Sequence, residues 1–148
     1  MRVTILRGIS GSGKSTWAKT QAPQAYVVST DTYFIQPDGS FLFDGSKLKD
    51  FHRRAFRDFM EAVFRKEPWI VVDNTNILMA EFAPYVAVAE AYDYQVEILT
   101  FACSVETAQA RKQLVAEWKV RQKFKELHEE TVRFPRYLAE IHRVIPCE

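Results

Sequence analysis

The stretch Gly8-Ile9-Ser10-Gly11-Ser12-Gly13-Lys14-Ser15 decides the fold, because it matches the phosphate-binding pattern GxxxxGK[ST] at every required position. A short apolar run at 3–6 precedes it, and a stretch of helical character at 14–21 follows it. The pattern requires this context of strand, glycine loop and helix. A dinucleotide-binding loop would need a third glycine at position 16, where the chain has Thr16. The sequence therefore predicts a site for a nucleoside triphosphate.

The residue types in this loop fit a nucleoside triphosphate together with Mg²⁺, and they do not distinguish ATP from GTP. Glycines let backbone N–H groups surround phosphate oxygens, and the helix that begins at Lys14 adds the positive end of its dipole. Lys14 is predicted to reach the β and γ phosphates, and Ser15 to supply a hydroxyl to Mg²⁺. The predicted nucleotide-binding residues are Gly8, Ile9, Ser10, Gly11, Ser12, Gly13, Lys14, Ser15 and Thr16.

Strand-like and helix-like stretches alternate along the rest of the chain. Strands are predicted at 26–28, 69–72 and 96–101, and helices at 47–66, from Pro84 towards Tyr92, and after Ser104 as a cap. Together with the glycine loop, this alternation predicts an α/β fold, a P-loop NTPase or kinase sandwich with a mostly parallel central sheet flanked by helices. A hairpin is expected at 34–44 and a helical lid region towards the carboxyl terminus. At 148 residues the chain is predicted to form a single domain, 1–148.

Composition and charge exclude several other classes of protein. A chain that is 47% hydrophobic and 26% charged is neither disordered nor collagen-like. The net charge of +1 gives no global attraction to nucleic acid or membrane, so a polyanion must be held locally. Cys103 and Cys147 lack the spacing of a zinc site or a disulfide framework. No apolar stretch approaches about 18 residues, so no membrane partner and a cytoplasmic location are expected.

Two carboxylates follow predicted strands and are expected at one edge of the sheet. Asp73 is predicted to hold Mg²⁺ opposite Ser15. Asp31 is predicted to face the γ phosphate from the acceptor side, where a carboxylate can take the proton of an attacking hydroxyl. The alternative for Asp31 is a helix cap or Asx turn, and for Asp73 a turn acid in the polar cluster 73–76.

Several strings together resemble a known family. They are GISGSGKST at 8–16, Ser-Thr-Asp-Thr-Tyr-Phe at 29–34, Phe-Asp-Gly-Ser at 43–46 with His52 beyond it, Val-Val-Asp-Asn-Thr-Asn at 71–76, and Pro-Tyr-Val at 84–86. In this order they resemble the polynucleotide 5′-kinase domain of the phage-type polynucleotide kinases and their eukaryotic relatives, which are AAA_33-like P-loop kinases. The resemblance covers about residues 1–112. The Asp-x-Asp motif of the phosphatase half is absent from the sequence, so a kinase domain alone is expected.

The resemblance implies transfer of the ATP γ-phosphoryl group to the 5′-hydroxyl of a DNA or RNA end. It implies that Asp31 is the general base and that Asn74 contacts the acceptor nucleotide. Phe34 stands where phage-type members carry an arginine for the acceptor's 3′-phosphate, so stacking of a base on Phe34 or Tyr33 is expected instead. Arg111 matches the first of two lid arginines.

The second lid arginine has no counterpart, because Val115 occupies its position. Lys112, Lys119 or Arg121 would have to substitute. A basic stretch that includes Arg54 is predicted to bind the acceptor, although a solvated basic face is the alternative; it consists of His52, Arg53, Arg54 and Arg57.

Two other functions remain open from the sequence. A kinase of the same fold could phosphorylate a small molecule such as a nucleoside or a sugar derivative, and would need a closed pocket rather than a groove. A nucleotide-gated binding module would switch a partner contact, and would not need Asp31. The oligomeric state is not predicted.

Overall fold

The computed structural model describes residues 1–112 and 115–147. Its strands are β1 (Arg2–Arg7), β2 (Tyr26–Val28), β3 (Trp69–Asp73), β4 (Gln95–Ala102) and β5 (His142–Pro146). Its helices are α1 (Lys14–Gln21), α2 (Leu48–Phe64), α3 (Met79–Ala91), α4 (Val105–Arg111), α5 (Glu117–Val132) and α6 (Arg136–Ala139). Two 3₁₀ turns, Thr30–Phe34 and Gly45–Lys47, lie between β2 and α2.

The strands form one parallel sheet in the order β2-β3-β1-β4-β5. β1 lies in the middle and is buried from Val3 to Arg7, as a strand covered on both faces must be. The phosphate loop, the Thr30–Phe34 turn and the segment after Asp73 therefore lie along the carboxyl edge of the sheet, where ligands bind in open α/β folds. The α/β fold with a parallel sheet is confirmed.

The sequence predicted three elements incompletely. β5 was not predicted, because its outward residues are exposed and it lacks a continuous apolar run. Helix α3 begins at Met79 rather than near Pro84, because the Leu78 N–H donates to the Glu81 carboxylate and starts the helix one turn earlier. The 34–44 hairpin is reduced to a single bridge, Ile35 to Phe41. The expected lid includes residues 113 and 114, which lie outside the described residues.

Within the described ranges, none of the helices is long and apolar enough to cross a bilayer.

Arg7, at the end of β1, is completely buried and holds several segments together. Its guanidinium donates to the carbonyls of Asn76, Ile77 and Leu127 and to the hydroxyls of Thr100 and Thr131, at 2.6 to 3.2 Å. Burial lowers its pKa to about 10, so it remains charged at neutral pH. Arg7 thus fixes the segment after β3 against β4 and α5.

We expect Arg7→Ala to lower the free energy of unfolding by about 3 kcal/mol, because it leaves buried carbonyls without donors and opens a cavity. Arg2→Ala is the matched control on the same strand. Arg2 is exposed, pairs with Glu97 at 3.2 Å and stacks on Trp69, and its loss should cost less than about 1 kcal/mol. Urea unfolding of both variants measures the difference. Equal decreases in the free energy of unfolding for the two variants would contradict the role assigned to Arg7.

Candidate active site

The phosphate loop has the backbone conformation of an anion cradle. Gly11 and Gly13 have φ of 85° and 99°, in the left-handed region that favours glycine. Gly13 precedes α1 and provides no side-chain cap. Among the described residues, the N–H groups of Gly13, Lys14 and Ser15 donate no hydrogen bond. These donors remain available for phosphate oxygens.

Helix α4 packs directly on this loop. A Cβ at Gly11 would lie 2.5 Å from the Ala108 carbonyl oxygen and 3.1 Å from Cγ of Lys112. A side chain at position 11 would therefore push the loop and α4 apart. The glycine at this position serves the contact with α4 as well as the approach of a ligand.

The Lys14 ammonium is buried in the loop and has neutral hydrogen-bond acceptors. Its Nζ lies 3.0 Å from the Ile9 carbonyl oxygen and 3.4 Å from Ser12 Oγ. Burial lowers its pKa to about 8, although the nearby carboxylates of Asp73 and Asp31 act in the opposite direction. A buried ammonium of this kind is stabilised by an added anion.

Ser15 and Asp73 meet across the site. Ser15 Oγ donates to Asp73 Oδ2 at 2.8 Å. Burial raises the pKa of Asp73, while the Ser15 hydrogen bond and the Lys14 charge oppose the rise. A hydroxyl beside a carboxylate is a pair of hard oxygen ligands of the kind Mg²⁺ accepts.

Asp31 lies in the Thr30–Phe34 turn with its carboxylate exposed. The cap of this turn is Ser29, whose Oγ accepts from the Asp31 N–H at 3.2 Å. The Asp31 carboxylate forms no hydrogen bond or ion pair within the described part of the chain. It is nevertheless close enough to influence the pKa of both Lys14 and Asp73. Its carboxylate is therefore not used as a cap.

Asn74 connects the segments that carry the two carboxylates. Its Oδ1 accepts from the Thr30 N–H at 2.9 Å and from Thr30 Oγ1 at 3.0 Å. Its Nδ2 is buried and has no partner among the described residues. An unsatisfied buried donor is rare in a folded protein and indicates a missing acceptor.

On the lid side, Arg111 and Lys112 are next to the phosphate loop. Arg111 ends α4, and its Nη1 donates to the Gly11 carbonyl at 3.2 Å. Lys112 is near enough to lower the pKa of Lys14. Arg121 instead pairs with Glu117 at 2.9 Å and Glu106 at 3.5 Å, and Lys119 lies over Trp118. Lys112, Lys119 and Arg121 were the candidates to replace the second lid arginine. Of these three, Lys112 is the one that lies next to the phosphate loop.

The structure contradicts the stacking role predicted for Phe34. Phe34 is only 2% exposed, and its ring packs against those of Phe41, Phe43 and Phe51 at 4.7 to 5.8 Å. It offers no ring face to an acceptor. It closes an aromatic cluster that holds the Thr30–Phe34 turn on α2, which is a structural reason for phenylalanine at this position.

Tyr33 and Arg54 are paired with each other. The Arg54 guanidinium lies 4.4 Å from the centroid of the Tyr33 ring, and Phe51 packs against the same ring at 5.5 Å. Tyr33 is therefore also occupied by contacts from α2. Arg54 itself is exposed and remains close to the turn that carries Asp31.

A groove of about 500 Å³ runs between α2 and α3. We name it the α2–α3 groove; its lining residues are His52, Arg53, Phe56, Arg57, Ala80, Glu81, Pro84 and Tyr85. α2 follows the segment that carries Asp31, and α3 follows the segment that carries Asn74, so each of the two helices is connected along the chain to a residue of the candidate site. The sequence indicated the α2 side from its basic residues. The α3 side has only the Pro84-Tyr85 string as a sequence signal.

Comparison with known proteins identifies the family. The AAA_33 family model, described as an AAA domain, matches residues 3–133. The chain belongs to the AAA_33 family. Human NEDD4-binding protein 2 is 37% identical over 97 residues, which are 64% of this chain and 5% of that protein. The chain thus spans a small part of this curated relative.

Solved structures resemble this AAA_33 domain in fold. The Pnkp1/Rnl/Hen1 RNA repair complex contains a chain with a TM-score of 0.73 at 17% identity, over 90% of this chain and 46% of the other. A chain of the AvrRxo1-ORF1:AvrRxo1-ORF2 complex has a TM-score of 0.72 at 16% identity, and the match covers 98% of this chain and 54% of the other. A gluconokinase from Sinorhizobium meliloti has a TM-score of 0.61 at 12% identity, and the match covers 99% of this chain and 82% of the other. The chain has a P-loop kinase-like fold.

The residues of this AAA_33 domain fit ATP with Mg²⁺, which P-loop kinase folds generally bind. The unpaired N–H groups of the loop and the buried Lys14 suit a triphosphate, and the Ser15–Asp73 pair suits the metal. Among the described residues, no cluster of three or more His, Cys, Asp or Glu could hold a metal ion alone. Two protein ligands with phosphate oxygens are the usual arrangement for Mg²⁺.

Proposed function

We propose that this AAA_33 domain is a kinase that transfers the γ-phosphoryl group of ATP to the 5′-hydroxyl of a DNA or RNA end, in the presence of Mg²⁺. The observation that carries the proposal is the Asp31 carboxylate, which is unpaired, exposed and electrostatically coupled to Lys14 and Asp73. A simple nucleotide switch has no need of such a base. A kinase needs one on the acceptor side of the phosphates.

The phosphate side of the site is formed by Lys14, Ser15, Asp73 and Arg111. Mg²⁺ would neutralise the charge of the triphosphate, held by the Ser15 hydroxyl and the Asp73 carboxylate. Lys14 would hold the β and γ oxygens through its buried ammonium. Arg111, which already reaches the Gly11 carbonyl, would turn its guanidinium to the charge that develops on the transferred group, with Lys112 as the second cation.

The acceptor side is formed by Asp31 and Asn74. Asp31 would take the proton of the attacking 5′-hydroxyl as the oxygen–phosphorus bond forms. Asn74 holds the Asp31 segment through Thr30, and its unpaired Nδ2 would donate to an acceptor oxygen. One side chain would thus position both the base and the acceptor.

The α2–α3 groove is the path that we propose for the acceptor strand. Its floor is formed by Phe56 and Tyr85, whose rings pack at 5.0 Å. Burial raises the pKa of Tyr85 to about 12, so its hydroxyl remains a neutral donor. Arg53 and Arg57 are exposed on the rim and form no ion pair in the described part of the chain. An apolar floor with unpaired arginines along its α2 side suits a single strand, whose bases stack while its phosphates bind cations.

We expect the double variant Arg53→Ala/Arg57→Ala to raise the KM for a 5′-hydroxyl oligonucleotide and to leave kcat within about 2-fold, because two phosphate contacts are lost away from the reacting atoms. The slope of log KM against log salt should become shallower by about 1.4, about 0.7 for each contact with a single strand. Steady-state kinetics at several salt concentrations measures both.

The matched control is Lys125→Ala/Arg136→Ala, which removes the same charge from exposed i,i+4 ion pairs outside the groove. The slope of log KM against log salt for this control should equal that of the unmodified protein. Equal slopes in all three proteins would place the acceptor outside the α2–α3 groove.

A small-molecule kinase is the second candidate, favoured by the similarity to a gluconokinase over most of that chain's length. It requires a closed acceptor pocket, whereas the α2–α3 groove is an open channel between two helices. Competition separates the two functions. A nucleoside or sugar that is phosphorylated faster than an oligonucleotide, at equal concentration, would favour the small-molecule kinase.

A further inference from the structure

The two cysteines of the chain directly follow neighbouring strands. β4 and β5 pair in parallel up to Ala102 and Pro146, and Cys103 and Cys147 are the first residues after these two strands. The Cys147 N–H donates to the Ala102 carbonyl at 3.2 Å, which continues the pairing to this position. Cys103 is buried in an apolar cluster against which Cys147 packs. Residues 44 positions apart in sequence thus form a thiol pair.

The thiols differ in accessibility. Cys103 is 3% exposed and Cys147 is half-buried, so an oxidant in solution meets Cys147 first. Burial raises the pKa of Cys103 to about 11, which keeps this thiol protonated at neutral pH and makes it the second to react. An accessible thiol beside a buried partner is the usual arrangement of a peroxide-sensitive pair.

The pair contacts the phosphate loop from two directions. Cys103 packs in the same apolar cluster as Ile9 of the loop. Cys147 Sγ accepts from Arg111 Nη1 at 3.6 Å, and the same nitrogen donates to the Gly11 carbonyl at 3.2 Å. Both cysteines are free, and the sulfurs of a disulfide lie closer together than any two non-bonded atoms, so forming the S–S bond must move at least one of the two segments that carry them. That movement would disturb the apolar cluster that contains Ile9, and it would act on Gly11 through Arg111.

We propose that Cys103 and Cys147 form a reversible disulfide that lowers the affinity of the phosphate loop for nucleotide. Hydrogen peroxide oxidises the Cys147 thiol to a sulfenic acid and releases one water. The Cys103 sulfur then attacks the Cys147 sulfur, its proton leaves with the hydroxyl as a second water, and the S–S bond forms. The two thiols lose two electrons, and the peroxide gains them. A dithiol reductant returns both thiols.

The test uses the full chain, and its readouts are independent of any acceptor. Peptide mass mapping after peroxide measures the loss of two hydrogens across the Cys103 and Cys147 peptides. Binding of a fluorescent ATP analogue then measures affinity in the reduced, oxidised and re-reduced protein. We expect oxidation to weaken binding by about 5-fold or more, and dithiothreitol to restore it. By linkage, saturating MgATP should make the disulfide easier to reduce in a glutathione buffer by the same factor.

Cys147→Ala is the first control, because it removes the accessible thiol and leaves the hydrogen bond from Arg111 to Gly11 available. Its nucleotide affinity should match the reduced protein and should not respond to peroxide. Cys103→Ala tests the buried partner, and its Cys147 should stop at the sulfenic acid. A disulfide with unchanged nucleotide affinity would overturn the proposal. So would a disulfide between two chains, no disulfide in the folded protein, or a Cys147→Ala protein whose affinity still falls with peroxide.

Discussion

Lys14→Ala is expected to reduce phosphoryl transfer by more than about 10³-fold while the protein stays folded. The Lys14 ammonium is the only side-chain cation that the loop itself supplies, and its direct contacts are the Ile9 carbonyl and Ser12 Oγ. Burial lowers its pKa to about 8, which shows that burying this charge costs free energy in the folded chain. Its removal should therefore impair catalysis and not the fold.

Transfer of label from ATP measures the first effect, and thermal unfolding measures the second. Lys19→Ala is the matched control, since Lys19 is an exposed lysine of the same helix, α1. Its transfer rate should stay within about 2-fold of the unmodified protein. A soluble Lys14→Ala protein with normal turnover would show that the nucleotide binds elsewhere.

Asp31→Asn is expected to reduce kcat by about 10²- to 10⁴-fold, the usual contribution of a general base, and to leave the affinity for ATP nearly unchanged. The amide keeps the shape of the side chain but cannot take a proton. The turn itself should persist, because Ser29 caps it and Asn74 holds Thr30. Single-turnover transfer and binding of a fluorescent ATP analogue separate the two effects.

Asp38→Asn provides a comparison in the neighbouring segment 34–44, where Asp38 is exposed and, within the described part of the chain, accepts only from Ser40. It should transfer phosphate normally. If Asp31→Asn lost ATP affinity as much as it lost rate, Asp31 would be a nucleotide or metal ligand. If it lost neither, a nucleotide-gated binding module would explain the chain better than a kinase.

The sequence predicts the conformation of the phosphate loop well, because that conformation depends on neighbouring residues. The loop and α1 are contiguous, so residue types and spacing predict the turn and the start of the helix. Asp31 and Asp73 follow short apolar runs, and parallel pairing brings their strand ends to one edge. The Ser15–Asp73 contact follows from these two patterns together.

Other features depend on contacts between distant parts of the chain, which the sequence alone does not show. Phe34 was predicted to stack a base because the resemblance concerns its position, whereas its environment is set by Phe41, Phe43 and Phe51. The resemblance identifies the position of Phe34 in the sequence but does not show that its side chain is buried. The sequence does not predict the role of Arg7, since nothing local shows that five acceptors surround it.

The thiol pair and the α3 side of the α2–α3 groove were missed for the same reason. Cys147 becomes a neighbour of Cys103 only through β5, which the sequence did not predict. The groove needs the packing of α3, whose start was placed too late because Pro84 was taken for its first turn. Tyr85 therefore had no predicted role.

The most direct test of the proposed function uses two oligonucleotides of one sequence that differ only at the 5′ end, one with a hydroxyl and one with a phosphate. Each is incubated with the protein, Mg²⁺ and ATP labelled at the γ position, and the label is located by digestion to single nucleotides. We expect label only on the oligonucleotide with the 5′-hydroxyl, and only on its 5′-terminal nucleotide. Label on neither oligonucleotide, while a nucleoside or sugar in the same tube is phosphorylated, would contradict the proposal.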